Sequence, residues 1–186
     1  MTGEERALRD EICRLAASIF ARGLTAGSSG NLSARLPDGF LATPTNSCLG
    51  FLEPARLAKL DPSGAHVAGE PPTKEVPLHM AFYRARPQAG AVVHLHSTYA
   101  TALSCLADTD PEDAIPPITP YVVMRVGRVP LVPYTRPGSA EVAPLIAARA
   151  AGAAAVLLAN HGPVVSAKTF RDAVFAAEEL EETARL

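Results

Sequence analysis

Apolar residues Leu8, Ile12, Leu15, Ala16, Ile19 and Phe20 recur every three or four positions between charged neighbours. This spacing predicts an amphipathic helix from Glu4 to Arg22, closed by Gly23. Beyond the glycine- and hydroxyl-rich stretch Ala26–Asn31, the pattern predicts a strand over Leu32–Arg35, a turn at Pro37-Asp38-Gly39 and a return strand over Phe40–Thr43. Thr43–Ser47 holds too many turn formers for a buried strand and reads as a second polar loop. A short helix is expected near Glu53–Leu57, and strands Ala58–Leu60 and His66–Ala68 flank the turn Asp61-Pro62-Ser63-Gly64. Thr73-Lys74-Glu75 opens a helix carrying Val76, Leu78, Met80, Ala81 and Phe82, in which Pro77 is tolerable because it lies in the first turn.

The stretch Ala91–Ser97 reads as a strand, so His94 and His96 face one way and Val93 and Leu95 the other. It runs into a helix from Ser97, the expected cap, to Leu103. Asp108–Pro120, with four prolines, is expected to be irregular, as a lid or an interface loop. Val129–Val132, with Pro130, suits an edge strand, and Pro137-Gly138-Ser139 introduces a helix through about Ala151. The apolar run from Ala154 is a strand ending at His161, and a last amphipathic helix starts at about Thr169 with Phe170, Val174, Ala177 and Leu180 on its apolar stripe. Interleaved strands and helices with short connections predict an α/β layered fold with a mixed sheet, in one domain spanning residues 1–186.

The histidines carry the first chemical signal. Two imidazoles on one strand face make a poor core, since each buried ring needs partners for both nitrogens, and a shared cation supplies one of them. His161, where an apolar run ends in a polar turn, is the candidate third ligand. Three neutral imidazoles leave a tetrahedral zinc one open position, the arrangement of catalytic rather than structural sites. His66, in a polar turn, and His79, inside a helix, lack such a partner pattern and read as structural or surface residues. Glu75 is either a carboxylate favoured by exposed N–H groups at a helix start or the acid/base beside the cation. Ser29, Asn31, Thr45, Asn46, Thr73 and Lys74 are ordinary loop residues taken singly. Together they place short donors and one positive charge on three loops, as a phosphate cradle requires. Tyr121, beside the proline-rich loop, reads from its surroundings as packing.

Composition narrows the partners. With 48% hydrophobic and 19% charged residues among 186, the chain can bury an ordinary core, and a net charge of -2 argues against a general nucleic-acid surface. Cys13, Cys48 and Cys105 form neither a CxxC pair nor a disulfide framework, which fits a reducing cytoplasm. The opening residues do not resemble an export signal, and no apolar run reaches the length of a membrane span.

Gly27-Ser28-Ser29-Gly30-Asn31-Leu32-Ser33, Thr43-Pro44-Thr45, Lys74-Glu75, His94-Leu95-His96-Ser97 and Asn160-His161-Gly162, in this order and spacing, resemble the class II aldolase/adducin family of zinc-dependent sugar-phosphate lyases and epimerases. The likeness covers nearly the whole chain. Thr45–Gly50, Val93–Leu106 and Thr119–Gly138 look more like the 3-oxo-tetronate 4-phosphate decarboxylase branch than fuculose-phosphate aldolase. The resemblance implies a three-layer α/β/α fold with a central mixed, largely antiparallel sheet. It implies His94, His96 and His161 as ligands of one Zn2+, Glu75 as acid/base, and Ser29, Asn31, Thr45, Asn46, Thr73 and Lys74 around the phosphate. It further implies Tyr121 as a proton donor lent to a neighbouring subunit within a homotetramer whose active sites lie between subunits. The implied reaction is decarboxylation of a sugar acid phosphate to dihydroxyacetone phosphate through a metal-stabilised enediolate; aldol cleavage and an adducin-like binding module without chemistry are the alternatives. Asn46 stands where many relatives have Gly, Thr73-Lys74 replaces a common Ser-Ser pair, and the sequence ends at Leu186 within its last helix whereas relatives often continue.

Overall fold

A computed structural model describes residues 1–186. The opening helix α1 (Gly3–Ala21) begins at Thr2, whose hydroxyl accepts the Glu5 N–H, and buries Ile12, Leu15, Ala16 and Ile19. The hairpin β1 (Asn31–Leu36) and β2 (Gly39–Ala42) follows, then two single 3₁₀ turns, β3 (Ala58–Leu60) and β4 (His66–Ala68). Next come α2 (Val76–Ala85), β5 (Ala91–His94), α3 (Thr98–Ser104), α4 (Pro120–Arg125), β6 (Leu131–Val132) and α5 (Val142–Ala150). The chain closes with β7 (Ala155–Leu158), β8 (Gly162–Ala167) and α6 (Phe170–Arg185).

All eight strands form one sheet in the order β4-β3-β2-β1-β5-β8-β7-β6. Neighbours are antiparallel throughout, apart from the edge strand β6, which runs parallel to β7. Alternation along each strand feeds two cores. Ala91, Val93 and Leu95 join side chains of α1, α3, α4 and α6 on one face, and Val92, Val156 and Val164 join α2 and α5 on the other. The expected three-layer α/β/α arrangement with a largely antiparallel sheet is therefore present. No helix is long and apolar enough to cross a membrane.

The chain departs from the hydrophobic pattern in three places. β8 has no counterpart in the pattern, because Gly162-Pro163 reads as a breaker; yet Pro163 needs no N–H in the second place of the strand, and its carbonyl accepts from Leu95. Tyr121–Met124, to which the pattern assigns no element, lies in α4, started by the Thr119 hydroxyl accepting from Val122 N–H with Pro120 at the first helical position. Ser97 does not cap α3: its hydroxyl is buried without a partner. The cap comes from α6, where the Glu181 carboxylate accepts N–H groups of Tyr99 at 2.8 Å and Ala100 at 2.9 Å.

Candidate metal centre and substrate pocket

Each histidine of the trio is aimed by its backbone. His94 ends β5, at the centre of the sheet, opposite Asn31 of β1 and Val164 of β8. Its Nδ1–H donates to the Pro163 carbonyl at 2.9 Å, which fixes the tautomer and leaves Nε2 bare. His96 lies two residues on and keeps the same facing, as alternation predicts, although β5 itself stops at His94. His161 sits in the β7–β8 turn, where Asn160 adopts the left-handed φ of 54° and donates its N–H to Ser104 O at 3.0 Å. Gly162 follows with φ 148°, and a Cβ there would lie 2.4 Å from the Leu95 carbonyl, so only glycine permits this approach of the turn to the His94–His96 segment.

The three rings converge. His94 Nε2 lies 3.1 Å from His96 Nε2 and 3.2 Å from His161 Nε2, and one ligand atom from each ring and from the Glu75 carboxylate falls within 4.8 Å of all the others. Burial pushes the His94 pKa well below its ordinary value, and the other two rings add to the shift. Burial also lowers His96 and His161, partly offset by the Glu75 charge. The rings are therefore neutral at pH 7, and the approaches of Glu75 Oε2 to His94 (3.4 Å) and Oε1 to His161 (3.7 Å) are not ion pairs. A bare His94 nitrogen can accept a proton from one neighbouring ring at a time, which leaves the other contact unsatisfied. A four-coordinate cation with imidazole nitrogens at about 2.0–2.1 Å spaces them by about 3.3 Å, close to what the rings already adopt. The donor set fits a divalent cation.

Ser29, Asn31, Thr45, Asn46, Thr73, Lys74 and Glu75 line a single cavity of about 170 Å³ together with His96. The three loops thus line one cavity. Asn46 has φ 55°, the left-handed region that asparagine tolerates and glycine fits. Lys74 projects into solvent at the rim, whereas Thr73 is buried and its hydroxyl accepts the Glu75 N–H at 3.2 Å. The Ser29 hydroxyl donates within its own loop to Ala26 O at 2.6 Å. Asn31 is committed at both ends: Nδ2 donates to Glu75 Oε2 at 2.8 Å and Oδ1 faces His79 Nε2 at 2.6 Å. Tyr121 is not brought to this pocket within one chain; it lies 59% exposed on α4, beside Arg22, Phe175 and Glu178.

His79, expected to be a structural or surface residue, is a structural one, bonded to Asn31 and Ser33. It is buried, and burial drives its pKa down to about 3. The available signal was its place one helical turn after Glu75, which puts both on one face of α2. His66, by contrast, is exposed, its Nε2 bonded to Ala68 O.

Comparison with known proteins now bears on this geometry. The family described as "Class II Aldolase and Adducin N-terminal domain" matches residues 10–186. The chain belongs to the class II aldolase and adducin family. Within that family it is 56% identical over 183 residues to a 3-oxo-tetronate 4-phosphate decarboxylase of Escherichia coli (strain K12), covering 98% of this chain and 86% of the relative. It is 35% identical over 166 residues to an L-fuculose phosphate aldolase of the same strain, covering 88% and 74%. The crystal structure of YgbL from Klebsiella pneumoniae superposes with a TM-score of 0.95 at 52% identity, over 100% of this chain and 89% of that one.

Proposed function

We propose that the chain is a 3-oxo-tetronate 4-phosphate decarboxylase that releases carbon dioxide and forms dihydroxyacetone phosphate. The observation that carries this reading is the convergence of His94, His96, His161 and Glu75 on one point beside a pocket of hydroxyl and amide donors. The higher identity to the decarboxylase than to the aldolase favours loss of a carboxylate over loss of an aldehyde. Intact metal-ligand chemistry argues against a binding module without catalysis.

His94, His96 and His161 would hold a divalent cation, zinc in this reading, which when bound supplies Lewis-acid polarisation of the substrate's ketone and neighbouring hydroxyl. The protein's own groups do the rest. Ser29, Thr45, Asn46, Thr73 and Lys74 hold the terminal phosphate at the loop end of the cavity, with Asn31 between them and Glu75. That anchoring sets the other end of the substrate beside the histidines. As the bond from the carboxylate to C2 breaks, its electron pair delocalises from C2 onto the adjacent ketone, and carbon dioxide leaves. A proton drawn from solvent then reaches C2 through Glu75 Oε1, which has no hydrogen-bond partner within the chain, or through Tyr121 of a neighbouring copy. The second route needs a homotetramer with active sites between subunits. Exposed Ile118, Tyr121, Val123 and Met124 on and before α4 supply an apolar surface for such an interface. The reading places this single-domain enzyme in the cytoplasm, where its three free cysteines stay reduced.

The test is to incubate metal-loaded protein with 3-oxo-tetronate 4-phosphate and, separately, with fuculose 1-phosphate, each with and without chelator. Chelator-sensitive carbon dioxide release from the first is expected. An aldehyde from the second alone would overturn the reading in favour of an aldolase.

A further inference from the structure

Two polar stripes face each other behind the pocket. Glu75, His79 and Tyr83 recur at four-residue intervals at the start of and along α2, and Asn31 and Ser33 alternate onto the facing side of β1. They join end to end. Tyr83 OH lies 2.8 Å from Ser33 Oγ, Ser33 Oγ 2.7 Å from His79 Nδ1, His79 Nε2 2.6 Å from Asn31 Oδ1, and Asn31 Nδ2 2.8 Å from Glu75 Oε2.

The donor and acceptor in every link follow from the last one. A carboxylate only accepts, so Asn31 must present its Nδ2 to Glu75 and its Oδ1 to His79. An amide oxygen only accepts, so His79 Nε2 must carry a proton. In the neutral ring Nδ1 is then bare and takes the Ser33 hydroxyl proton, and the Ser33 oxygen in turn accepts from Tyr83. Every donor in the chain points towards Glu75. The opposite His79 tautomer would set a lone pair against Asn31 Oδ1; relieving that by rotating the amide would set Oδ1 against Glu75 Oε2. With the network as built, Oε2 is held and Oε1 alone stays without a partner.

We infer that His79 is a positioning residue for the reaction: through its Nε2–H it fixes the Asn31 amide, and through that amide the orientation of the Glu75 carboxylate. The inference rests on Glu75 as the acid/base of the proposed decarboxylation. The Asn31 amide, pinned by Glu75, selects the tautomer, and Ser33 and Tyr83 complete the chain, so a residue two links from the carboxylate governs where Oε1 points.

The test has an arm without substrate and an arm with it. Nitrogen-15 NMR of the histidine rings in zinc-loaded protein should show His79 neutral and protonated at Nε2, and Asn31→Ala, which removes the acceptor that demands this proton, should admit the Nδ1-protonated form. A wild-type ring protonated at Nδ1 overturns the inference. In turnover, His79→Leu should lower kcat roughly tenfold or more with KM within about threefold, and His79→Gln, whose amide restores the donor to Asn31, should recover most of it. A glutamine variant no better than the leucine one overturns the inference; should the leucine variant not fold, the tautomer of the wild-type ring decides. Full activity in Glu75→Gln would instead overturn the acid/base reading while leaving the tautomer measurement standing, so the two failures are distinguishable.

Discussion

Buried imidazoles make this fold sensitive to acid in a definite direction. His79 titrates near its ordinary value of 6.5 in the unfolded chain but only at about 3 when folded. Below about pH 6.5 the unfolded chain therefore binds a proton that the folded one refuses, so stability is full above that pH and falls as pH drops towards 3. The slope from this one group is about 1.4 kcal/mol per pH unit. Urea unfolding at several pH values should show a decline that is shallower in His79→Gln, by one proton's share; equal slopes would place the titrating groups elsewhere. Single residues also show what a sequence can disclose. His94, His96 and His161 were legible because strand alternation and a terminal turn are local facts. His79 was not, because what defines it, Asn31 and Ser33, lies more than forty positions earlier on another element.

At the scale of elements, the segment that follows His94 and His96 is held by a carboxylate from far along the chain. Local rules nominate Ser97 as the cap of α3, but Glu181 accepts the two N–H groups while the Ser97 hydroxyl has no partner. The consequences are opposite in size. Ser97→Ala should change stability by less than about 0.5 kcal/mol, since it removes no bond within the chain. Glu181→Ala strands two partly buried donors and should cost about 1–3 kcal/mol, with weakened metal retention because α3 begins just after His96. Denaturant midpoints and metal content of the two variants check this; equal destabilisation would show that the serine does the capping. β8 illustrates the same limit: its glycine and proline argue locally for a break, and only the two strands that flank it make the segment a strand.

For the whole molecule, the layered α/β class was readable from interleaved periodicities, whereas strand order was not, because pairing partners are set by packing rather than by neighbours in sequence. The proposed homotetramer is tested through α4. Met124 is 79% exposed, so Met124→Glu should leave the protomer folded while shifting sedimentation from tetramer to smaller species, with loss of turnover if Tyr121 acts across the interface. An unchanged tetramer would place the interface elsewhere. The central position of β5 bears on how the protein forms. Its partners β1 and β8 lie roughly sixty to seventy residues away in opposite directions, so the strand cannot pair on either side until long loops have closed. The imidazoles then meet late, so an ion bound by them would reach a chain whose folding barrier is already behind it. Stopped-flow measurements with added zinc should find refolding rates unaltered and unfolding slowed, the mark of a stabiliser absent from the transition state.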